Sequence, residues 1–283
     1  MIWSYLRCPR WLVGMLLVGA LGSAQANDAA QRYGCERPIR LAWLLNSMVY
    51  RDGQGFDPGL VAEFRQRTGC QFDAQIVPRG EVWKRLAEGT LDMLPSGIPN
   101  NERQRFSYFV PTIYYRNKLI VRAELAPKIS RFADFQAMPE LRLGVIPGYW
   151  RGPYFEGGVR MLAGMGRVDA FTSDAERYAA LRRNEVQALI SHDINLAQRI
   201  PAEERLDFRI LDLNPGPSLG AGLMLSRRSF NSAQAAEWLR LIEAMRLDGS
   251  LASLVRTHMP AHLEQEFLRS GYRYDVSKRS GTP

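Results

Sequence analysis

The sequence predicts an α/β fold of two similar lobes. A helix that ends at Gly89 is followed by a tight turn, a short buried strand and a polar loop that runs to Arg103. The same unit recurs further along the chain, because residues 86–97 align with residues 181–192, and Gly89 and Asn184 are both residue types that tolerate a positive φ. Ligands of open α/β sheets bind beyond the carboxyl ends of the strands, so we expect the two loops to face each other across one cleft.

Residues 1–26 are predicted to be a signal peptide and not part of the fold. Two arginines precede an apolar run at residues 11–21, and Ala24-Gln-Ala26 supplies the small residues that signal peptidase requires. Cleavage is therefore expected before Asn27. The alternative is a retained membrane anchor, which is disfavoured because the run is shorter than the ~20 residues that span a bilayer.

Charge and motif content exclude several classes of function. The chain carries 37 Lys and Arg residues and 29 Asp and Glu residues, and the excess positive charge is spread along it. Such a distribution is typical of a solvated surface, so nucleic acid is not expected as a partner of an exported protein. The sequence has no metal-ligand spacing, nucleophile elbow or cofactor-binding loop, and we predict neither a metal nor a cofactor.

Cys35 and Cys70 each precede a predicted strand, at residues 39–45 and 72–77. Between the strands lies a helix for which Asp57 is predicted as the N-cap, with proline at the first helical position. This strand–helix–strand crossover makes the strands parallel and places both cysteines at their starting ends, away from the ligand loops. In an oxidising compartment we therefore predict a disulfide between them, with two free thiols as the alternative.

A second helix, at about residues 80–88, leads into the strand and loop that end at Arg103. After that loop, residues 106–115 are rich in aromatic side chains, and residues 118–122 alternate as an extended strand. Most of these aromatic side chains are predicted to pack in the core or at a hinge, with stacking on a ligand as the alternative.

A second α/β region is predicted from Pro127 onward. A strand at residues 141–146 leads through a loop at residues 147–153 into a helix. Backbone N–H groups at the start of such a helix attract anions, and Arg151 adds a positive charge there. Asp174 is then predicted to cap the helix that precedes the second copy of the repeated unit.

The last part of the chain is predicted to return to the first lobe. A strand near residues 208–213 is followed by a Pro/Gly break at residues 214–218 and by a strand at residues 220–227. Two C-terminal helices are predicted from apolar residues at helical spacing: Trp238, Leu241, Ile242 and Met245, then Leu251, Leu254 and Val255. Pro260 is expected to end the second of these helices.

In their order and spacing, several segments resemble the bacterial periplasmic solute-binding proteins of the amino-acid-binding type, family 3. The segments are residues 55–63, 86–103, 114–115, 142–148, 222–227 and 248–251. The resemblance covers about residues 38–260 and implies the type II periplasmic-binding-protein fold, in which two α/β lobes joined by a two-segment hinge enclose a ligand cleft. It places lobe 1 at residues 35–117 plus 218–283 and lobe 2 at residues 118–217.

The resemblance also implies roles for individual residues. Arg103 stands where the family has the arginine that clamps a ligand carboxylate, a task suited to its planar fork of donors. The alternative for Arg103 is a surface ion pair. Ser96, Gly97 and Ile98 match the loop that completes the grip. The remaining candidate ligand-binding residues are Trp43, Arg79, Tyr115, Tyr149, Trp150, Arg151, His192 and Asp193.

Departures from the family pattern bear on the ligand. His192 stands where an aspartate commonly receives a ligand ammonium, and the loop after Trp43 lacks the usual acidic residue. These departures weaken the expectation of an α-amino acid. Arg79, Arg103 and Arg151 together favour an acidic or multi-anionic ligand.

We therefore predict a monomeric periplasmic protein that captures a small carboxylate-bearing solute, an amino acid or related organic acid, for an ABC-type permease, without catalysis. One alternative is a periplasmic dehydratase-like enzyme in which His192 and Asp193 act as an acid/base pair. His258 is predicted to be packed in the protein and not catalytic. The other alternative is a ligand-sensing partner of a membrane sensor, since closure of two lobes presents a new surface.

Overall fold

The computed structural model describes residues 28–44, 49–216 and 218–258, apart from the side chains of residues 193 and 194. The predicted signal peptide, the loop at residues 45–48 and Pro260 lie outside the described residues, as does any role of the Asp193 side chain. Within the described part of the chain, no helix has both the length and the apolar character needed to cross a bilayer.

The regular elements alternate between strands and helices. The strands are β1 (Ile39–Trp43), β2 (Phe72–Ile76), β3 (Met93–Gly97), β4 (Ser107–Tyr115), β5 (Lys118–Arg122), β6 (Leu143–Val145), β7 (Val168–Ala170), β8 (Ala188–Ser191), β9 (Phe208–Leu211) and β10 (Leu219–Ser226). Residues 28–33 are helical. The α-helices that follow β1 are α1 (Phe56–Thr68), α2 (Arg79–Glu88), α3 (Arg103–Phe106), α4 (Phe132–Gln136), α5 (Pro153–Gly164), α6 (Asp174–Arg182), α7 (Asp193–Arg199), α8 (Ser232–Leu247) and α9 (Ser250–His258). Short 3₁₀ helices occupy Ala123–Lys128 and Ala202–Asp207.

The strands form two separate five-stranded sheets. The first sheet has the order β2-β1-β3-β10-β4 and the second the order β7-β6-β8-β5-β9. Each sheet is mixed: β1 pairs in parallel with β2 and β3, whereas β10 is antiparallel to β3 and β4. We call each sheet with its helices a lobe. The chain passes between the sheets after Tyr115 and again before Leu219, and the hinge role of these two crossings stays a prediction.

The predicted crossover at the start of the first sheet is confirmed. β1 and β2 are parallel, with Ile39 opposite Phe72. Cys35 and Cys70 lie just before these strands and form a disulfide, with 5.6 Å between their Cα atoms. The bond therefore joins the amino ends of β1 and β2, at the opposite end of the sheet from Ser96 and Gly97 at the end of β3.

The repeated unit is present in both sheets. Gly89 ends α2 with a φ of 73°, and Asn184 follows α6 with a φ of 60°. In each case the left-handed residue turns the chain into a buried strand, β3 in the first sheet and β8 in the second. The alignment of residues 86–97 with residues 181–192 therefore reflects a structural repeat.

Two predicted helix caps were wrong by one or two residues. Helix α1 begins at Phe56, with Gly55 at the N-cap and no side-chain cap, so Asp57 lies inside the first turn. Helix α6 is capped by Ser173, whose hydroxyl accepts the Glu176 N–H at 3.2 Å. Both aspartates are buried instead. The Asp57 carboxylate accepts from Ser96, which is distant in sequence, and the Asp174 carboxylate pairs with Arg177, one helical turn further on.

Each lobe has its own apolar core. The predicted face of α8 is confirmed, since Trp238, Leu241, Ile242 and Met245 are all buried against the first sheet. The Trp238 ring also meets Phe64 edge-on at 5.0 Å. The second lobe packs residues of α4, α5 and its own strands in a separate cluster. The loops between the two lobes are therefore attached to two separate apolar cores.

Candidate functional site

A small cavity lies between the lobes, beyond the end of β3. We call it the inner cavity. Its volume is about 20 Å³, and it is lined by Leu44, Val49, Arg79, Ser96, Ile98, Ile113, Tyr115, Tyr149, His192 and Ala221. Six of the predicted site residues are thereby brought together from the two lobes. A volume of this size holds about one water molecule, so the lobes are closely packed in this conformation.

Arg103 lies at the start of α3, between the two lobes, and is only 7% exposed. It does not itself line the inner cavity, but it contacts Ile98, which does. Its Nη1 donates to the carbonyl oxygen of Ile98 at 2.7 Å, and its Nη2 donates to the carbonyl oxygen of Gly148 at 2.8 Å. Its guanidinium carbon stands 3.6 Å from the centre of the Trp83 ring. The local sequence supports this position, because the Asn100 side chain accepts the backbone N–H of Arg103 at 2.8 Å.

The charge of Arg103 has no carboxylate partner among the described residues. Burial lowers the pKa of its guanidinium to about 10, and the neighbouring Arg79 adds to this effect. A buried cation that meets only carbonyl oxygens and an aromatic face is under-compensated. An anionic ligand would supply the negative charge that the described residues do not place beside Arg103. A planar carboxylate fits the fork of the guanidinium.

Arg79 is a second cation at the cavity. It lies half-buried at the start of α2, with its guanidinium carbon 5.3 Å from the centre of the Tyr149 ring. In the part of the chain that the structure describes, the Arg79 side chain forms no ion pair or hydrogen bond. It also lines an outer groove of about 240 Å³ that runs between residues 76–79 of the first lobe and residues 172–174 of the second. Leu44, Arg79 and Tyr149 therefore line both the inner cavity and the outer groove.

Tyr149 and His192 form the second-lobe wall of the inner cavity. The Tyr149 hydroxyl lies 2.7 Å from His192 Nε2 and 3.1 Å from Asn117 Oδ1. His192 Nδ1 faces the carbonyl oxygen of Arg116 at 3.2 Å, and the Tyr115 ring meets the imidazole edge-on at 4.1 Å. Because a carbonyl only accepts, this contact places a hydrogen on Nδ1. Burial raises the pKa of Tyr149 to about 12, so its phenol stays protonated.

A buried carboxylate that the sequence did not indicate as a site residue lies directly behind the first-lobe wall. The Ser96 hydroxyl donates to Oδ1 of Asp57, and Asp57 is 1% exposed. Burial raises the pKa of Asp57 to about 7, even though the hydrogen bond from Ser96 opposes that shift. The sequence signal for Asp57 was misread as a helix cap, because a cap and a buried first-turn aspartate have the same local pattern.

Other predicted site residues lie away from the inner cavity. Trp43 stacks on Tyr50, with ring centres 5.2 Å apart, and packs against the core of the first lobe. Trp150 also packs against that core, although it belongs to a loop of the second lobe. Gly97 lies against the Met224 side chain, where a Cβ would collide. None of these three residues lines the inner cavity.

Arg151 is engaged within its own lobe. Its Nη1 lies 3.2 Å from Glu156 Oε1, and its Nη1 and Nη2 donate to the carbonyl oxygens of Tyr149 and Ile146. It is 6% exposed. The α5 helix thus supplies its own carboxylate to Arg151, which leaves Arg79 and Arg103 as the cations that face the cleft.

Comparison with known proteins gives a family match and a set of similar folds. The family model described as bacterial extracellular solute-binding proteins, family 3, matches residues 46–261. No curated protein matches the chain.

Three solved structures illustrate the similarity in fold. A substrate-binding protein of an ABC uptake transporter from Streptococcus pneumoniae, with bound histidine, has a TM-score of 0.65 at 14% identity, covering 82% of this chain and 96% of that one. The ancestral amino acid-binding protein AncCDT-1, a precursor of cyclohexadienyl dehydratase, has a TM-score of 0.64 at 15% identity, covering 83% and 99%. The VFT2 domain of BvgS from Bordetella pertussis has a TM-score of 0.61 at 14% identity, covering 83% and 97%. The two-lobed type II periplasmic-binding-protein fold predicted from the sequence is thereby confirmed.

Proposed function

Since this chain belongs to family 3 of the bacterial extracellular solute-binding proteins, we propose that it binds a small carboxylate-bearing solute between its two lobes. Arg103 carries the proposal: it is buried at the cleft, and no carboxylate of the described residues pairs with it. A solute carboxylate would accept from the guanidinium fork, with Trp83 beneath it. The inner cavity holds about one water molecule in this conformation, so the lobes would move apart to admit a solute. Ser96 and Ile98 of the first lobe, and Tyr149 and His192 of the second, would then surround the rest of it.

Arg79 bears on the class of solute. Its guanidinium reaches the inner cavity and the outer groove without an ion pair among the described residues. Two cations at one cleft favour a solute with a second anionic or strongly accepting group, such as a dicarboxylate or an acidic amino acid. The sequence prediction counted three arginines at the cleft. Because Arg151 pairs with Glu156, Arg79 and Arg103 remain.

The proposed setting is the periplasm, with delivery to an ABC-type permease by a monomeric protein. Differential affinity of the solute for one arrangement of the two lobes would provide the signal that a permease recognises. A membrane sensor is the alternative partner, since similar folds occur in sensor domains. A dehydratase-like reaction is less well supported, because Nε2 of His192 is engaged by the Tyr149 hydroxyl and Nδ1 faces a carbonyl.

A thermal-shift screen tests the proposal. The exported, purified protein is heated with amino acids, dicarboxylates, aromatic acids and opines, each alone. A solute at 100 times its Kd stabilises the folded protein by about 2.7 kcal/mol. We expect at least one acid to raise the melting temperature of the wild type, and mass spectrometry to recover it unchanged.

Two matched variants test whether Arg103 binds the solute carboxylate. Arg103→Met keeps side-chain length and removes the charge, and Arg105→Met makes the same change at an exposed position of the same helix. The stabilising acid should act on Arg105→Met as on the wild type and should have no effect on Arg103→Met. Equal stabilisation of both variants, or no stabilisation of the wild type by any acid, would refute the proposal.

A further inference from the structure

A fully buried carboxylate lies directly behind the wall of the inner cavity. Asp57 sits in the first turn of α1, and its backbone N–H donates to the carbonyl oxygen of Val49 at 2.9 Å. Its Oδ1 accepts from the hydroxyl of Ser96, which lines the cavity. Its Oδ2 has no hydrogen-bond partner within the described residues. The side chain therefore has one polar contact, and that contact leads to the solute site.

The surroundings of Asp57 do not hold it in the ionised form. No arginine, lysine or histidine of the described residues forms an ion pair with it, in contrast to Asp92, which pairs with Arg37 and Arg40. Desolvation therefore dominates and raises the pKa of the carboxyl to about 7, against the weaker opposing effect of Ser96. A carboxyl of this kind changes its protonation state near neutral pH.

The two protonation states give Ser96 opposite hydrogen-bonding roles. A hydroxyl has one hydrogen to donate and two lone pairs. When Asp57 is ionised it can only accept, so the Ser96 hydrogen points away from the cavity and the solute meets lone pairs. When Asp57 is protonated its own O–H donates to Ser96, which frees the Ser96 hydrogen to point into the cavity.

We propose that Asp57 is a positioning residue that determines whether Ser96 offers the solute a hydrogen or a lone pair. This inference rests on the proposed function of the inner cavity as the solute site. The protonated form suits an anionic or carbonyl oxygen of the solute beside Ser96. The ionised form suits an ammonium or hydroxyl donor at the same place, so the solute chemistry preferred at this wall changes with pH.

Other titratable groups lie near Asp57 and Ser96, and their titration must be distinguished from that of Asp57. Arg79, Tyr115, Tyr149 and His192 line the same cavity. Burial raises the pKa of Tyr149 to about 12 and that of Tyr115 well above its ordinary value, which removes both from the neutral range.

Two further charged groups stand on neighbouring elements. Arg103 follows β3 on the loop side, and its pKa of about 10 keeps it charged at neutral pH. On α9, the His258 ring lies against Gly59 of α1, with Nε2 3.0 Å from the position that a Cβ on Gly59 would occupy. Gly59 is two residues after Asp57 in the chain. Burial lowers the pKa of His258. Because histidine is the side chain that ordinarily titrates near neutrality, His192 and His258 need control variants.

Carbon-13 NMR of the side-chain carboxyls, in protein labelled at aspartate and titrated without any solute, tests the inference. The Asp57 signal is assigned by its loss in Asp57→Asn. We expect its midpoint near pH 7. Ser96→Ala removes the hydrogen bond to the ionised form and should raise the midpoint by about 1 pH unit or more. Ser96→Thr, which keeps the hydroxyl, should restore the wild-type midpoint.

The histidine variants complete the design. His192→Gln and His258→Gln should leave a titration near pH 7 in place, because the Asp57 carboxyl and the Ser96 hydroxyl are unchanged. A midpoint near 4 in the wild type, or one that Ser96→Ala does not move, would overturn the inference. Because the titration needs no solute, such a failure is distinct from failure of the Arg103 screen.

Discussion

Arg103 of the first lobe and Gly148 of the second are joined by a hydrogen bond of 2.8 Å from a guanidinium nitrogen to a carbonyl oxygen. The donor belongs to the side chain proposed to bind the solute carboxylate. The guanidinium that is proposed to bind the solute therefore contacts both lobes, through Ile98 of the first and Gly148 of the second. A solute carboxylate would compete with the Gly148 carbonyl for this donor, which links binding to the contact between the lobes.

The first prediction concerns closure without solute. Hydrogen bonds to charged groups contribute about 1.5–3 kcal/mol, so Arg103→Met should shift the equilibrium of the solute-free protein toward an open arrangement by roughly tenfold or more. Small-angle X-ray scattering should show a larger radius of gyration than in the wild type. Arg105→Met serves as the matched control and should scatter as the wild type does. Identical scattering curves for the wild type and both variants would contradict the prediction that Arg103 holds the two lobes together.

The second prediction concerns the pH dependence of stability that Asp57 causes. Its pKa is raised on folding, from 3.8 to about 7, so between these values the unfolded chain has lost a proton that the folded protein keeps. Stability therefore falls as pH rises through this window, by up to about 4 kcal/mol from this group. In urea unfolding, Asp57→Asn should lack this contribution, so the free-energy difference between variant and wild type should grow in favour of the variant from pH 4 to pH 8.

The control for Asp57 is Asp73→Asn, which makes the same change at an exposed position of β2. Asp73→Asn should keep the wild-type slope of stability against pH. If Asp57→Asn and Asp73→Asn show the same slope, burial does not control the protonation of Asp57.

The third prediction concerns the disulfide. Cys35 and Cys70 are 35 positions apart, and a cross-link of that length stabilises a protein by about 3–4 kcal/mol in the chain-entropy description. Because the bond lies at the amino ends of β1 and β2, its loss should lower stability without changing the cleft. The Cys35→Ser, Cys70→Ser double variant should unfold at lower urea concentration, and the acid found in the thermal-shift screen should bind it with wild-type affinity. A large loss of affinity would show that the disulfide affects the site.

The fold was predictable because its signals are local and repeated. Gly89 and Asn184 mark the same turn in both lobes through the left-handed conformation that each adopts. The spacing of Trp238, Leu241, Ile242 and Met245 identified a buried helix face without any knowledge of the partner sheet. Parallel pairing of β1 and β2 followed from the helix between them, and the disulfide followed from that pairing.

The site was less predictable because its contacts are distant in sequence. Nothing near Arg103 in the chain indicates that Trp83 lies beneath it or that Gly148 of the other lobe accepts from it. Asp57 and Ser96 are 39 residues apart, and only the packing of α1 on β3 brings them together. Arg151 shows the converse, since its charge suggested a ligand but the helix that follows it provides Glu156.

The fourth prediction concerns Asp92, which precedes β3 and holds the strand that leads to Ser96. Its carboxylate accepts from Arg37 Nη1 at 2.7 Å, from Arg40 Nη2 at 2.7 Å and from the Ser229 hydroxyl at 2.5 Å. Burial alone would raise the pKa of Asp92, but these hydrogen bonds outweigh it and hold the pKa well below its ordinary value. The Asp92 side chain is 2% exposed, whereas those of Arg37 and Arg40 are 55% and 34% exposed. Hydrogen bonds to charged groups contribute about 1.5–3 kcal/mol, so Asp92→Asn should be destabilised by an amount of this order at neutral pH.

The pH dependence of Asp92 has the opposite sign to that of Asp57. A carboxyl whose pKa is depressed on folding contributes stability that is present above its unfolded pKa, near 4, and is lost as pH falls toward the folded value. Urea unfolding of the wild type and Asp92→Asn should therefore differ most near pH 6, and the difference should begin to shrink as the pH is lowered through 4 to 3. A difference that stays constant across this range would mean that the ionised carboxylate is not what holds Arg37 and Arg40 at the start of β3.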